Sequence, residues 1–166
     1  DDLKGLKMRI PGIGGEVLQR AGGTPVILAA SDIFTALQTG SIDATEWVSP
    51  YNDVAMGLHQ AARYYYYPGW QEPGPTLECI VNMDAWNSLP PDLQAIVRIA
   101  CQATNLDMVS EFMARNASSL EQLTADESVE IRAFPEDVLA GLKALTFEVV
   151  EELAARDPDS ARVWKS

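Results

Sequence analysis

A run of apolar residues at helical period, sustained over roughly 30 positions, constrains this chain more than any other feature. Leu89-Pro90-Pro91-Asp92 is a helix start, with proline where its missing N–H is not needed. Leu93, Ile96, Val97, Ala100, Cys101, Val109, Phe112, Met113, Leu120 and Leu123 then follow the helical repeat. At about 1.5 Å per residue this predicts a helix of roughly 45 Å, weakest between Asn105 and Met108, where a kink is expected. Such a helix outruns the core that 166 residues can build. It must lie across two lobes or pack on another chain.

Upstream of it, short apolar runs alternate with short helical patterns. Leu6–Ile10 reads as a strand, and Gly12-Ile13-Gly14-Gly15 opens a helix with Val17, Leu18 and Ala21 on its apolar face. Gly22-Gly23 closes that helix. Pro25–Leu28 reads as a second strand, Ser31 or Asp32 as the cap of a helix ending at Gly40, and Ile42–Trp47 as a third strand. This alternation predicts parallel βαβ units on a covered sheet. Tyr64–Tyr67 suits a strand or ribbon, and Pro68-Gly69-Trp70-Gln71-Glu72-Pro73-Gly74-Pro75 a rigid irregular loop. Thr76–Met83 reads as a further strand and Val129–Phe134 as a short one. Pro135-Glu136-Asp137 starts a last helix through Ala155, broken at Asp157-Pro158. The fold class is α/β: a lobe with a parallel or mixed sheet, then a long helix and C-terminal helices.

A net charge of −12 argues against nucleic acid and anionic membrane surfaces, which need a basic face. No apolar run approaches the roughly 20 residues that span a bilayer. The chain starts Asp1-Asp2-Leu3-Lys4 without a methionine, which reads as a processed or truncated start. Cys79 and Cys101 sit in no CxxC or CxxH pair and allow one disulfide or two buried free thiols, the latter slightly favoured. With the single His59 there is neither a histidine metal cluster nor a good case for a Ser-His-Asp triad.

Arg9 ends the first strand, immediately before the glycine turn, at the rim where open α/β sheets hold ligands. A guanidinium there can grip a carboxylate with two parallel hydrogen bonds, or be a plain surface arginine. The Gly12-x-Gly14-Gly15 turn lacks nucleotide-binding spacing and is read as structural. Glu46 and Trp47 end the third strand at the same rim, and Glu72 can reach it from the proline-rich loop. Two carboxylates and a main-chain carbonyl suit a hard cation, although each glutamate alone is an ordinary solvated charge. Phe34, Tyr51 and Trp70 either wall a pocket or belong to the core.

Leu3-Lys4-Gly5-Leu6-Lys7-Met8-Arg9, Ala36-Leu37-Gln38-Thr39-Gly40-x-Ile42-Asp43-Ala44 and Glu46-Trp47, with the Tyr-Pro-Gly-Trp segment and Asn82-x-x-x-Trp86-x-x-Leu89-Pro90, resemble the solute-binding proteins of tripartite ATP-independent periplasmic (TRAP) transporters. The subgroup resembled binds small 2-oxo or 2-hydroxy acids. The resemblance implies a periplasmic receptor for an acid such as pyruvate or lactate, delivering it to membrane permease subunits. Arg9 would pair with the substrate carboxylate; Glu46, the Trp47 carbonyl and Glu72 would hold a bridging sodium or calcium ion. The substrate pocket would comprise Arg9, Glu46, Trp47, Phe34, Tyr51 and Trp70.

The same resemblance makes this chain the C-terminal half of a two-lobed protein. Residues 1–75 would form most of the second lobe, 76–90 a crossing strand and turn, and 91–166 the helices returning to the first lobe. A further amide ligand would lie upstream of Asp1, and helix 91–123 would be open to exchange between two subunits. Two other readings stand beside this one: a metal-assisted lyase or hydrolase with Glu46 or Glu72 as general base, and a remnant with an incomplete site. Against the enzyme, no nucleophile–base pair is visible, and the candidates are all ligand-holding groups.

Overall fold

The computed structural model describes residues 3–72, 74 and 77–165. Its first part is a run of parallel βα units: β1 (Lys7–Arg9), α1 (Gly12–Arg20), β2 (Thr24–Val26), α2 (Ala30–Gln38) and β3 (Ala44–Thr45). The three strands lie in the order β2-β1-β3, with Arg9 opposite Val26 on one side and Thr45 on the other. Because β1 is central, its carboxyl end opens between its two neighbours. All three strands are shorter than expected, β3 most of all: Ile42 is held back by α2, its amide donating to the Ala36 carbonyl at 3.3 Å.

The chain continues through α3 (Pro50–Ala55), a 3-10 turn (Leu58–Gln60) and β4 (Tyr64–Tyr67). After the irregular loop come α4 (Met83–Ser88), α5 (Pro91–Ala125), β5 (Glu130–Ala133), α6 (Glu136–Ala155) and α7 (Pro158–Trp164). The tetra-tyrosine strand is paired in parallel with β5, Tyr65 opposite Ile131. A parallel pair demands a long crossover, which α4 and α5 supply.

Four local expectations need correction. First, α2 begins at Ala30 with Ala29 as its cap, so Ser31 and Asp32 lie inside the first turn and bond each other at 3.1 Å. Second, residues 77–82 are irregular: alternation marks a strand only where another strand lies beside it, and none does among the described residues. Asn82 instead caps α4, its side chain accepting from the Asp84 and Ala85 amides, each at 3.0 Å; Thr76 lies outside the described residues. Third, α5 runs 35 residues without a break at 105–108. Fourth, Cys79 and Cys101 are free as favoured, but both are exposed and not buried.

Two apolar clusters fix the lobe. Ile33, Leu37, Ile42 and Leu58 close α2 against the sheet, with Trp47 packed at their edge. Val17, Leu142 and Val149 bind α1 to α6, more than a hundred residues away in sequence, with Trp70 against them. At this second seam Arg20 donates to both Glu152 oxygens, at 2.9 and 2.5 Å. Only Ser119 and Leu123 of α5 are buried. Ile99, Leu106, Met113 and Leu120, seven residues apart, stay 64, 69, 73 and 42% exposed. Among the described residues no helix is long and apolar enough to cross a membrane.

Candidate functional site

The parallel pairing of β1 with β3 brings Arg9 and Glu46 together across 37 residues. The Glu46 amide donates to the Arg9 carbonyl at 3.3 Å, continuing the ladder one step past Thr45. Both side chains then turn to the same end of the sheet, where Arg9 Nη1 lies 2.5 Å from Glu46 Oε1. Their side chains retain only 13 and 9% of their exposure. The Trp47 ring stands beside the guanidinium, its centroid 5.3 Å from the Arg9 carbon centre, within cation–π range. Arg9 Nε is buried with no hydrogen-bond partner among the described residues. A buried N–H donor left open in this way calls for an acceptor.

Burial holds the Glu46 carboxyl above its ordinary range. The charge of Arg9 opposes this, and the negative charges of Glu72 and Asp53 reinforce it. Glu72 is therefore close enough to act electrostatically on Glu46, although it comes from the loop after β4. That loop leans on the start of α1. A side chain at Gly14 would meet Gln71 Cβ at 3.3 Å and Ile10 Cδ1 at 3.0 Å, and one at Gly15 would meet the Ile10 carbonyl at 2.8 Å. The glycine turn thus does structural work, admitting both the strand end and the loop.

A broad open cavity faces this rim, lined by Glu46, Trp47, Trp70 and Glu72 together with Asp53 and Tyr65. The predicted aromatic walls divide. Trp70 lines the cavity while its ring packs on the α1–α6 cluster. Phe34 lies on α2 with its ring beside Gly57, away from the rim. Tyr51 stands edge-on to Phe112 of α5, centroids 5.8 Å apart, and its amide donates to Asn116 Oδ1 at 3.0 Å. Glu46, Trp47 and Glu72 share this cavity, with Arg9 bonded to Glu46 at its rim, and Phe34 and Tyr51 are not among its lining residues.

Sequence reasoning missed Asp53 and Tyr65. The Tyr65 hydroxyl donates to Asp53 Oδ2 at 2.6 Å, and Asp53 Oδ1 is buried without a hydrogen-bond partner among the described residues. Four consecutive tyrosines concealed which one turns inward, and nothing in the surroundings of Asp53 sets it apart from a first-turn helix acid.

Among the described residues no three side chains of His, Cys, Asp and Glu gather closely enough to enclose a metal ion. The donor set near the rim is of another kind: the carboxylates of Glu46 and Glu72 beside an arginine. It suits a hard cation that completes its oxygen shell from a bound ligand and from further residues.

Comparison with known families gives the class of protein to which this rim belongs. The model of the DctP family, bacterial extracellular solute-binding protein family 7, matches residues 1–157, and the chain belongs to that family. It is 43% identical over 164 residues to a monocarboxylate 2-oxoacid-binding periplasmic protein of Nostoc, covering 99% of this chain and 45% of that protein. Among solved structures it resembles a TRAP periplasmic solute-binding protein from Colwellia psychrerythraea with bound calcium and pyruvate (45% identity, TM-score 0.93, 99% of this chain and 50% of that one). It is also similar to one from Pseudoalteromonas atlantica with bound sodium and pyruvate (43%, TM-score 0.90, 99 and 50%). A third, from Bordetella bronchiseptica, is a mixed-occupancy dimer with calcium and picolinate (38%, TM-score 0.92, 99 and 48%). The chain spans about half the length of these relatives.

Proposed function

We propose that this chain contributes one lobe and the connecting helices of a periplasmic TRAP receptor that binds a small 2-oxo or 2-hydroxy acid. In this reading residues 1–75 are most of the ligand-binding lobe, 76–90 cross between lobes, and 91–166 return to the other lobe. Arg9 pairs with the substrate carboxylate through its open Nε edge. Glu46, the Trp47 carbonyl and Glu72 hold sodium or calcium against the same substrate. Trp70 forms a wall, and Phe34 on α2 and Tyr51 on α3 support the lobe at separate places. Lobe closure then presents the loaded receptor to membrane permease subunits.

One observation carries this reading most: the unpartnered Arg9 Nε beside Glu46, in a family of solute-binding proteins. The relatives named for, or solved with, 2-oxo acids and a cation support the choice of ligand. An enzyme using Glu46 or Glu72 as base has no such support. The apolar seam of α5 favours either the first lobe or exchange with a second subunit as its cover.

Calorimetry with pyruvate on the two-lobed protein tests the proposal, with and without calcium or sodium. Binding should need a cation and should weaken by at least a hundredfold in Arg9→Ala, about the loss of a charge-assisted bidentate contact. Unchanged affinity in that variant removes the role assigned to Arg9. Light scattering across a dilution series gives the oligomeric state; a monomer at all concentrations rules out helix exchange.

A further inference from the structure

Asp53 and Tyr65 form a part-buried polar contact at the cavity that the binding scheme leaves unused. α3, which carries Asp53, begins three residues after Trp47, and β4, which carries Tyr65, ends five residues before Glu72. Neither element has a core of its own: α3 contributes no fully buried residue, and of the four tyrosines of β4 only Tyr65 is half-buried. Each has its own further anchor. α3 is fastened to α5 through Tyr51 and Asn116, and β4 to β5 through its ladder. The 2.6 Å bond from Tyr65 to Asp53 therefore ties the arm bearing Glu46 and Trp47 to the arm bearing Glu72.

The chemistry of the bond suits a fixed spacer. Burial, then the hydrogen bond to Asp53 and its charge, push the Tyr65 phenol far above its ordinary range, so it remains a donor. A short hydroxyl-to-carboxylate bond is also among the stronger and more directional ones.

We propose that Asp53 and Tyr65 are positioning residues that set the separation of Glu46 and Glu72, and thereby the preference of the site for calcium over sodium. The inference rests on the cation-bridged receptor reading above. A divalent ion draws its strength from both carboxylates at fixed oxygen distances. Loosening one arm removes more from calcium than from a monovalent ion, which gains less from the second carboxylate. Asp53 also adds negative charge near Glu46 without being a ligand itself.

The test uses the two-lobed protein, titrated with calcium or sodium at fixed pyruvate and read by calorimetry. In Tyr65→Phe the calcium concentration for half-maximal pyruvate binding should rise about tenfold, the loss of one hydrogen bond to a charged group. The sodium midpoint should move by no more than about threefold, and pyruvate affinity at saturating calcium by no more than about twofold. Equal shifts for both ions, or no shift, overturn the proposal, because a merely structural bond would weaken every constant together. Should Tyr65→Phe fail to fold, Asp53→Ala removes the acceptor for the phenol and must show the same selective loss of calcium. Cation-independent pyruvate binding in the unaltered protein would sink the receptor reading and this inference with it, whereas cation dependence with an unchanged preference in both variants sinks the inference alone.

Discussion

Arg9 and Glu46 are joined twice, once by the amide of Glu46 on the carbonyl of Arg9 and once by their side chains at 2.5 Å. The two partners are not equivalent when one is removed. A carboxyl group can take up a proton in a buried site, whereas a guanidinium keeps its charge. Glu46→Ala should therefore cost about 3 kcal/mol in urea unfolding without ligand, and Arg9→Ala distinctly less at mildly acidic pH. Equal losses at that pH would contradict the asymmetry.

The pH dependence follows from the burial that raises Glu46 above its ordinary value of 4.5. Between that unfolded value and the raised folded one, the native state holds more protons. The contribution of Glu46 to stability is thus complete below the unfolded value and fades as pH rises through the folded one. Asp53, also raised by burial, acts in the same direction. The proton and a cation compete for Glu46, so cation-supported binding should fail on acidification at a pH above the ordinary glutamate range. In ligand-free unfolding, Glu46→Gln should flatten the slope of stability against pH just above pH 4.5. A slope unchanged in this variant would mean that Glu46 does not titrate as described.

Gly15→Ala places a methyl group 2.8 Å from the Ile10 carbonyl, a backbone atom that cannot swing aside. The predicted cost is roughly 1–3 kcal/mol, with weakened ligand binding because β1 and α1 must separate just after Arg9. Denaturant midpoints and calorimetry check both halves. A neutral alanine would show that the turn has room.

Leu142→Ala empties the seam between α1 and α6, where Leu142 is 3% exposed. A loss of about 2–5 kcal/mol is expected in chemical unfolding, well above the effect of Arg20→Ala, whose ion pairs lie at the surface. The reverse order would place the hold on α6 in its charges.

The Cys79 and Cys101 thiols lie close enough for a hydrogen bond, which raises the Cys101 thiol above its ordinary range. The approach is imposed by α4 folding back on α5, with Gln94 donating to the Trp86 and Leu89 carbonyls and Arg98 stacked 4.9 Å from the Trp86 ring. A mild disulfide oxidant should therefore join the two sulfurs within one chain, with loss of two hydrogens by mass spectrometry. Cys101→Ser should abolish the product. Only intermolecular dimers, or no product, would contradict the contact.

The βα alternation was legible because each element announces itself locally, through strand-forming runs, glycine stops and proline starts. Arg9, Glu46 and Trp47 were legible for the same reason: strand ends in a parallel sheet share one rim. The supposed strand around Cys79 was not, since its pattern says nothing about whether a neighbour is present. The neighbours of Phe34 and Tyr51 were not legible, because aromatic spacing does not reveal which element a ring will meet. Asp53 and Tyr65 were hidden for a further reason. Their meeting depends on where two connections cross in space, twelve residues apart along a chain without regular period.

α5 is gripped by its own chain near its far end, where Ser119 and Leu123 are enclosed, and runs back to Pro91 with most of its surface uncovered. Over the roughly 48 Å between Leu123 and Pro91, a tilt of about 5° displaces the distal tip by about 4 Å. The helix is in effect a lever. Any tilt at its anchor is magnified on whatever surface covers the apolar seam of α5.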